Sequence, residues 1–373
     1  MERQQCIRCY IHPEFEYKQL LRMFLKENVS LNIDLNRVEH RDDIVVCFND
    51  LVEDAKEVLN WEKINSSFLS YVKSTYMRNY DGFFLKNAVM EAQNKKVDTL
   101  IVGSSYPQKG ILDNELTCCK AKNLAMGSQD YYYGCRLAEK VLERNHQIKK
   151  IIIGGGYYTI FCDLSRTAEI GVRLVADVYY PILKDVHNTL ILPERITSIE
   201  SCIWNFDYIV RLFSEKIYRK NSRKYFNAAK TRFEDRNVFW QDTARLWYEL
   251  SDEERRKAAE KVTEGHNKFL KYTGTYKENI HMLKEFALMC EALEVDVWMV
   301  IFPSSEEYLT GLNPEYRVRF YEAMNTLNGK VHLMDFNDNE EFKKDDFDDA
   351  DHLSEKGARK ATAILNMVMK AAE

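Results

Sequence analysis

Two short stretches, far apart in the chain, carry residue types that can do nucleophilic chemistry. The first is TLIVGSSYPQKG at 99–110. It reads as a buried strand that stops at Gly103, turns through Ser104 and Ser105, and leads into a loop or helix. The second is DFDDADHLSEKGARKAT at 346–362, which places Asp349 three residues before His352, just ahead of a helical pattern. A serine hydroxyl is a weak nucleophile at neutral pH and needs an adjacent base. A histidine supplies that base, and a carboxylate holds its imidazole in the right tautomer and stabilises the imidazolium that forms. Each residue also has a plain structural reading. Ser105 can cap a helix, Asp349 can complement a helix N-terminus, and His352 can be a surface loop residue.

The intervening chain must bring the two stretches together. From residue 97 onward, VDTLIVGSS, KKIIIGGGYY (149–158) and EALEVDVWMVIFPSSEEY (291–308) hold continuous apolar runs. Such runs suit strands buried on both faces of a parallel sheet. CKAKNLAMGSQD (119–130) holds a shorter apolar stretch, and GKVHLMDFND (329–338) a fifth strand. Helical periods fall between and after them, at 131–145, 277–293, 314–327 and 354–372. Alternating strands and helices predict an α/β fold with crossover connections and helices on both faces of a mainly parallel, five-stranded sheet. Ligands then bind outside the carboxyl ends of the strands, where Ser105, Gly127, the Gly154–Tyr158 segment, Ser304 and the Asp349–His352 loop would gather.

The stretch at about 165–275 interrupts the rhythm and reads as a helical insertion placed to wall or cover the site, within a domain spanning 96–373. Residues 1–95 read as a separate α/β appendage of unassigned role. Its strands are IRCYI (7–11) and DIVVCF (43–48), its helical spacings lie at 13–28 and 51–64, and a helix at 82–96 feeds the main domain. No Gly-rich phosphate loop occurs in it.

Composition narrows the function classes. A net charge of −5 gives no electrostatic footprint for nucleic acid. No run approaches the roughly 20 apolar residues of a spanning helix, and the N-terminus has no apolar core of a signal peptide. A cytoplasmic protein is expected. Nine cysteines without a regular framework read as reduced thiols. Cys6, Cys9 and His12 form an alternative zinc set. The 22 tyrosines, with an apolar body and a polar tip, suit cores, interfaces and sugar-like ligands. A homodimer is a further expectation.

Taken together, these residues resemble the SGNH/GDSL-type hydrolases, a family with a flavodoxin-like, three-layer, five-stranded α/β fold. GSSY at 103–106 resembles the family's first block, with Ser105 as nucleophile and Ser104 where the usual motif has Asp. NLAMGSQ at 123–129 is similar to the second block, whose glycine maps to Gly127 in the oxyanion hole. DDADHLSEKGA at 348–358 resembles the last block and selects Asp349 over Asp351 as the triad carboxylate, leaving Asp351 to solvent. The GSS variant and the form of the ending are more similar to the branch with the D-alanyl transfer protein of lipoteichoic acid modification and polysaccharide O-acyltransferases. That resemblance implies a serine-dependent acyl-ester hydrolase or O-acyltransferase acting on a small-molecule or glycan acyl ester, with no metal or organic cofactor. The family's third block ends in an oxyanion-donating Asn, and here GGGYY stands instead. The expected substitutes are the Gly155 or Gly156 amide or the hydroxyl of Tyr157 or Tyr158. His266 and Arg166, at the edges of the insertion, are read as structural. The competing functional reading is a binding or scaffold protein that keeps the fold without the chemistry.

Overall fold

The computed structural model describes residues 81–82, 84–86, 88–167, 169–189 and 246–372, together with the strands Ile7–Tyr10, Val29–Asn32, Ile44–Val45 and Glu57–Val58. The chain divides into two compact units, one of residues 1–83 and 192–235, the other of 84–191 and 236–373. In the first unit, Ile7–Tyr10 pairs in parallel with Val29–Asn32, and Ile44–Val45 with Glu57–Val58. The strands expected at 7–11 and 43–48 are present. Glu57–Val58 is a strand where the spacing over 51–64 suggested a helix, because strand pairing overrides a local helical period. The helical reading at 13–28, and the Cys6 and His12 of the zinc set, lie outside the described residues.

The second unit is organised by five parallel strands: β1 (Thr99–Gly103), β2 (Ala121–Asn123), β3 (Lys150–Gly155), β4 (Asp296–Ile301) and β5 (His332–Asp335). Their order across the sheet is β2-β1-β3-β4-β5, parallel at every pairing. That is the flavodoxin-like order, with its switch point between β1 and β3. The burial of the strands explains the order. β1 is buried throughout, and β3 and β4 at all but their first residue, as interior parallel strands must be. β5 is half exposed and β2 has three residues, as suits edges.

The helices are α1 (Ser105–Gly110), α2 (Tyr131–Leu142), α3 (Asp252–Asn267), α4 (Thr273–Ala292), α5 (Glu306–Gly311), α6 (Glu315–Asn325) and α7 (Glu355–Ala371). A further helical stretch between β3 and α3 runs over Glu169–Leu183 and contains a π-turn at Val175–Tyr179. Caps fix several starts. The Asp130 carboxylate accepts from the Tyr133 amide at the head of α2 at 2.9 Å, and Ser251 and Glu254 form a reciprocal capping box on α3. Helical turns over 84–92 belong to this unit: Phe84, Leu85, Ala88, Val89 and Ala92 are buried, and the Asn145 side-chain amide ties the carbonyls of Ala92, Asn94 and Val97 at 2.9 Å each. No helix among the described residues is long and apolar enough to cross a membrane.

Two glycines shape the end of β1 and β3. Gly103 has φ +127°, which L side chains rarely adopt, and a Cβ there would lie 2.1 Å from the Gly154 carbonyl oxygen. At Gly154 a Cβ would meet Pro107 of α1 at 2.8 Å. The chain can therefore turn sharply after β1 and lay α1 against the end of β3.

Candidate active site

The turn after β1 sets Ser105 as the first residue of α1. Ser104 is the N-cap, and its side chain makes no cap hydrogen bond. The turn is braced from the segment after β2, where the Gln129 side chain accepts from the Gly103 amide at 2.7 Å and donates to the Leu124 carbonyl at 3.1 Å. Buried Asn123 donates to the Pro107 carbonyl at 2.9 Å and so holds α1 from beneath. With its rotamer freed from capping, the Ser105 Oγ lies 2.7 Å from His352 Nε2. That is hydrogen-bond distance for a nucleophile and its base.

His352 stands on the loop between β5 and α7. The loop is pinned by the pairing of Phe347 with Leu353 and by the Asp348 amide, which donates to the His352 carbonyl at 2.9 Å. Asp349 folds back over this turn. One of its oxygens accepts from the backbone amides of Asp351 at 3.0 Å and His352 at 2.8 Å. Both oxygens lie 2.9 Å from His352 Nδ1. The spacing of three residues is what lets one carboxylate bond the backbone and the ring of the same histidine. Lys109 of α1 crosses to this loop, 2.9 Å from Asp348 and 3.9 Å from Asp349. Ser105, His352 and Asp349 are thus brought together in the expected order of bonds.

Asp351 corrects the sequence reading. Its side chain is 5% exposed while that of Asp349 is 46% exposed, so it is Asp351 that is buried and Asp349 that meets water. Asp351 accepts from the Tyr106 hydroxyl at 2.7 Å and stands 3.5 Å from His352 Nδ1. The Tyr106 ring lies beneath the imidazole, 5.2 Å between centroids. The burial comes from Tyr106, a neighbour 245 residues away in sequence, so no local pattern announces it.

These charges set the protonation states. Burial disfavours a charged His352, yet Asp351 and Asp349 outweigh it and raise its pKa above the ordinary value. Burial pushes the Asp349 carboxyl up, but the charge and hydrogen bond of His352, with Lys109 beyond, hold it well below the usual carboxylate range. At Asp351 burial wins against His352 and raises the carboxyl.

The oxyanion side matches the expectations less well. Gly127 sits after β2, and a Cβ there would lie 3.7 Å from the Gln108 side-chain oxygen. No hydrogen bond among the described residues engages the Gly127 amide. Gly156 is otherwise committed, because its amide donates to Thr159 Oγ1 at 3.0 Å. Gly155 pairs with Ile301, and its carbonyl accepts from the Phe302 amide at 3.1 Å. A Cβ at Gly155 would strike Thr159 at 2.8 Å, and one at Gly156 the Tyr106 hydroxyl at 3.1 Å, so both glycines serve close packing. Tyr157 is not brought to the site. Its hydroxyl donates to Asp335 at the end of β5 at 2.6 Å, reaching across β4 and away from β1. Three successive glycines carry no side-chain phase, so no local pattern shows which way Tyr157 points.

His266 and Arg166 separate. Arg166 bonds Asp163 and Glu278, each at 2.9 Å, and is structural as expected. His266 of α3 stacks on Tyr158 at 3.8 Å, with Nδ1 2.7 Å from the Tyr308 hydroxyl. Among the described residues, two groups place His and carboxylate ligand atoms within 4.8 Å of one another: Asp349, Asp351 and His352; and Asp163, His187 and Glu278. In both, hydrogen bonds already occupy the carboxylates. A scan of protein-family models finds none that matches the chain, and no curated protein matches it.

Proposed function

We propose that the chain is a serine-dependent acyl-ester hydrolase or O-acyltransferase working through an acyl-enzyme at Ser105. The observation that carries this reading is the relay from Ser105 Oγ to His352 Nε2 at 2.7 Å and from His352 Nδ1 to Asp349 at 2.9 Å. In the reaction, Ser105 Oγ attacks an ester carbonyl while its proton passes to His352 Nε2. The imidazolium stays paired with Asp349 and gives the proton to the leaving alcohol as the acyl–oxygen bond breaks. Water or a sugar hydroxyl then gives a proton to His352 and attacks the acyl carbon, and as the acyl–Oγ bond breaks His352 returns that proton to Ser105 Oγ. The amides of Ser105 and Gly127 would face the oxyanion, where each such donor is worth roughly 3–4 kcal/mol in known enzymes. A carbohydrate-linked acyl group as substrate, and a cytoplasmic place of action, follow from the sequence resemblance and composition and belong to this proposal.

A second reading, a scaffold that keeps the fold without the chemistry, draws on the oxyanion side. The Gly156 amide is spent on Thr159, and Tyr157 faces Asp335. Treating the protein and Ser105→Ala with a fluorophosphonate and p-nitrophenyl acetate decides between them. An adduct mapped to Ser105, with turnover lost in the variant, is expected. Turnover that survives the substitution, or no adduct at any concentration, would leave the scaffold reading standing.

A further inference from the structure

A cavity of about 360 Å³ begins at Ser104, next to the nucleophile, and runs between Tyr158, Leu164, Thr167, His266 and Phe269. Its walls are mostly apolar or aromatic, and Tyr158 stacks with His266 and Phe269 at 3.8 and 5.9 Å. Of the other polar side chains that line it, Ser128 is exposed and four more are already committed. Gln129 bonds the Gly103 amide and the Leu124 carbonyl. Thr159 accepts from the Gly156 amide, and Thr167 donates to the Leu164 carbonyl. Asp163 accepts from the Ser165 amide and hydroxyl and from Asn188, and pairs with Arg166.

Two buried or half-buried groups keep unused capacity. Ser104 is 6% exposed, and its hydroxyl has no partner among the described residues. His266 is held by Tyr308 through Nδ1, and no partner is seen for Nε2 among the described residues. Burial, then the charge of His352, pushes His266 down to about 4, so at neutral pH it brings no charge. Among the described lining residues there is no lysine or arginine, and the one carboxylate is Asp163.

This inventory selects the ligand. A sugar ring would bury several hydroxyls against few free partners, and each unpaired group costs about 1–3 kcal/mol. A carboxylate or phosphate would find no cation among the described lining residues, and Arg166, the cation beside Asp163, is already paired with it and with Glu278. An apolar chain with one or two polar atoms matches both the walls and the spare hydrogen-bonding groups. We propose that the cavity takes the acyl chain of the substrate, an uncharged chain of on the order of ten heavy atoms at about 30 Å³ each, and that the alcohol portion lies outside it. The ligand class is read from the cavity itself; its role as an acyl chain rests on the reaction proposed for Ser105.

The test uses the intact protein and two readouts. In the first, melting temperature is followed with octanamide, octanoate and methyl α-glucoside, since a ligand of the folded state raises it by mass action. Octanamide should stabilise clearly more than the other two. Thr167→Trp, at an exposed wall position, should remove the effect. Equal or greater stabilisation by octanoate or the glucoside, or an octanamide effect untouched by Thr167→Trp, would overturn the proposal. In the second, Ser105 is labelled with ethyl to octyl fluorophosphonates. The rate should rise about fourfold per added methylene, the equivalent of about 0.8 kcal/mol each, and Thr167→Trp should flatten the gradient. Octanamide binding through Thr167 without any labelling keeps the ligand class and loses the reaction. Labelling at a rate indifferent to chain length keeps the reaction and loses the cavity assignment.

Discussion

Among the described residues, two clusters combine serine, histidine and aspartate, and one of the two has the bonds in an order that supports catalysis. In the first, Ser105 meets His352 Nε2 and Asp349 meets His352 Nδ1, so the imidazole lies between nucleophile and carboxylate. In the second, after β3, the Ser165 hydroxyl donates straight to Asp163, bypassing His187. His187 Nδ1 stands 3.5 Å from Asp163 and 3.2 Å from Ser165, its Nε2 faces Glu278 at 3.3 Å, and Tyr132 stacks on its ring at 3.6 Å. Ser165 is 5% exposed, whereas Ser105 is half-buried. The same residue types thus form a relay in one place and a fastening in the other. What separates them is whether the serine proton has a base to go to and a substrate has a way in.

The sharpest way to break the comparison is to remove each histidine. His352→Ala and Ser105→Ala should each lower fluorophosphonate labelling by on the order of 10⁴ or more, because triad members act as a unit. His187→Ala and Ser165→Ala should leave the rate within about twofold, as expected of independent sites. Equal losses in both clusters would mean that the relay geometry does not decide reactivity.

The next effect concerns the two carboxylates at His352. In a triad with one carboxylate, converting it to the amide costs about 10⁴ in rate. Here Asp351 remains 3.5 Å from Nδ1 after Asp349→Asn. The single change is therefore expected to cost about 10²–10³, and Asp349→Asn with Asp351→Asn together about 10⁴. Rates of p-nitrophenyl acetate hydrolysis across the double-mutant cycle check this. Strict additivity, or a full loss in the single variant, would show that Asp351 does not share the imidazolium.

The second cluster should answer in stability instead. Asp163 is buried and takes hydrogen bonds from Ser165, Asn188 and Arg166. Asp163→Asn is expected to lower the unfolding free energy by about 1–3 kcal/mol, the cost of spoiling a buried charge-assisted network, as read from the denaturant midpoint. The cluster also carries a pH signature. The hydrogen bond and charge of Asp163 overcome burial and raise the His187 pKa. A raised histidine pKa stabilises below its unfolded value of about 6.5 and loses that contribution as pH rises through the folded value. The gap between wild type and Asp163→Asn should therefore narrow above neutral pH.

How much of this was legible depended on how local the cause was. β1, β3 and β4 announce themselves because strands buried on both faces need unbroken apolar runs. Ser105, His352 and Asp349 were legible because a turn glycine precedes the serine and a three-residue spacing precedes the histidine. The burial of Asp351 was not, since Tyr106 supplies it from the other end of the domain. Nor was the direction of Tyr157, set by Asp335 on the far strand. The Ser165 cluster was equally hidden, because its members lie up to 115 residues apart in sequence, from Asp163 to Glu278.

The smallest effect concerns pH at the relay. His352 acts as base only when neutral, and Asp351 and Asp349 favour its charged form over the opposition of burial. The active form therefore appears at higher pH than for an ordinary imidazole, and the acid limb of the rate profile should lie above about 6.5. The same charge stabilises the fold below the unfolded pKa, so activity should rise as that contribution to stability is lost. Asp351→Asn removes one of the two carboxylates and should move the limb toward acid, with Asp349 still holding part of the shift. Burial raises the Asp351 carboxyl itself, so its hold on the imidazolium should weaken first as pH falls. A limb that stays in place would mean that Asp351 is protonated when His352 titrates. Its part would then be to seat Tyr106 beneath the ring, and Asp349 alone would set the charge of the base.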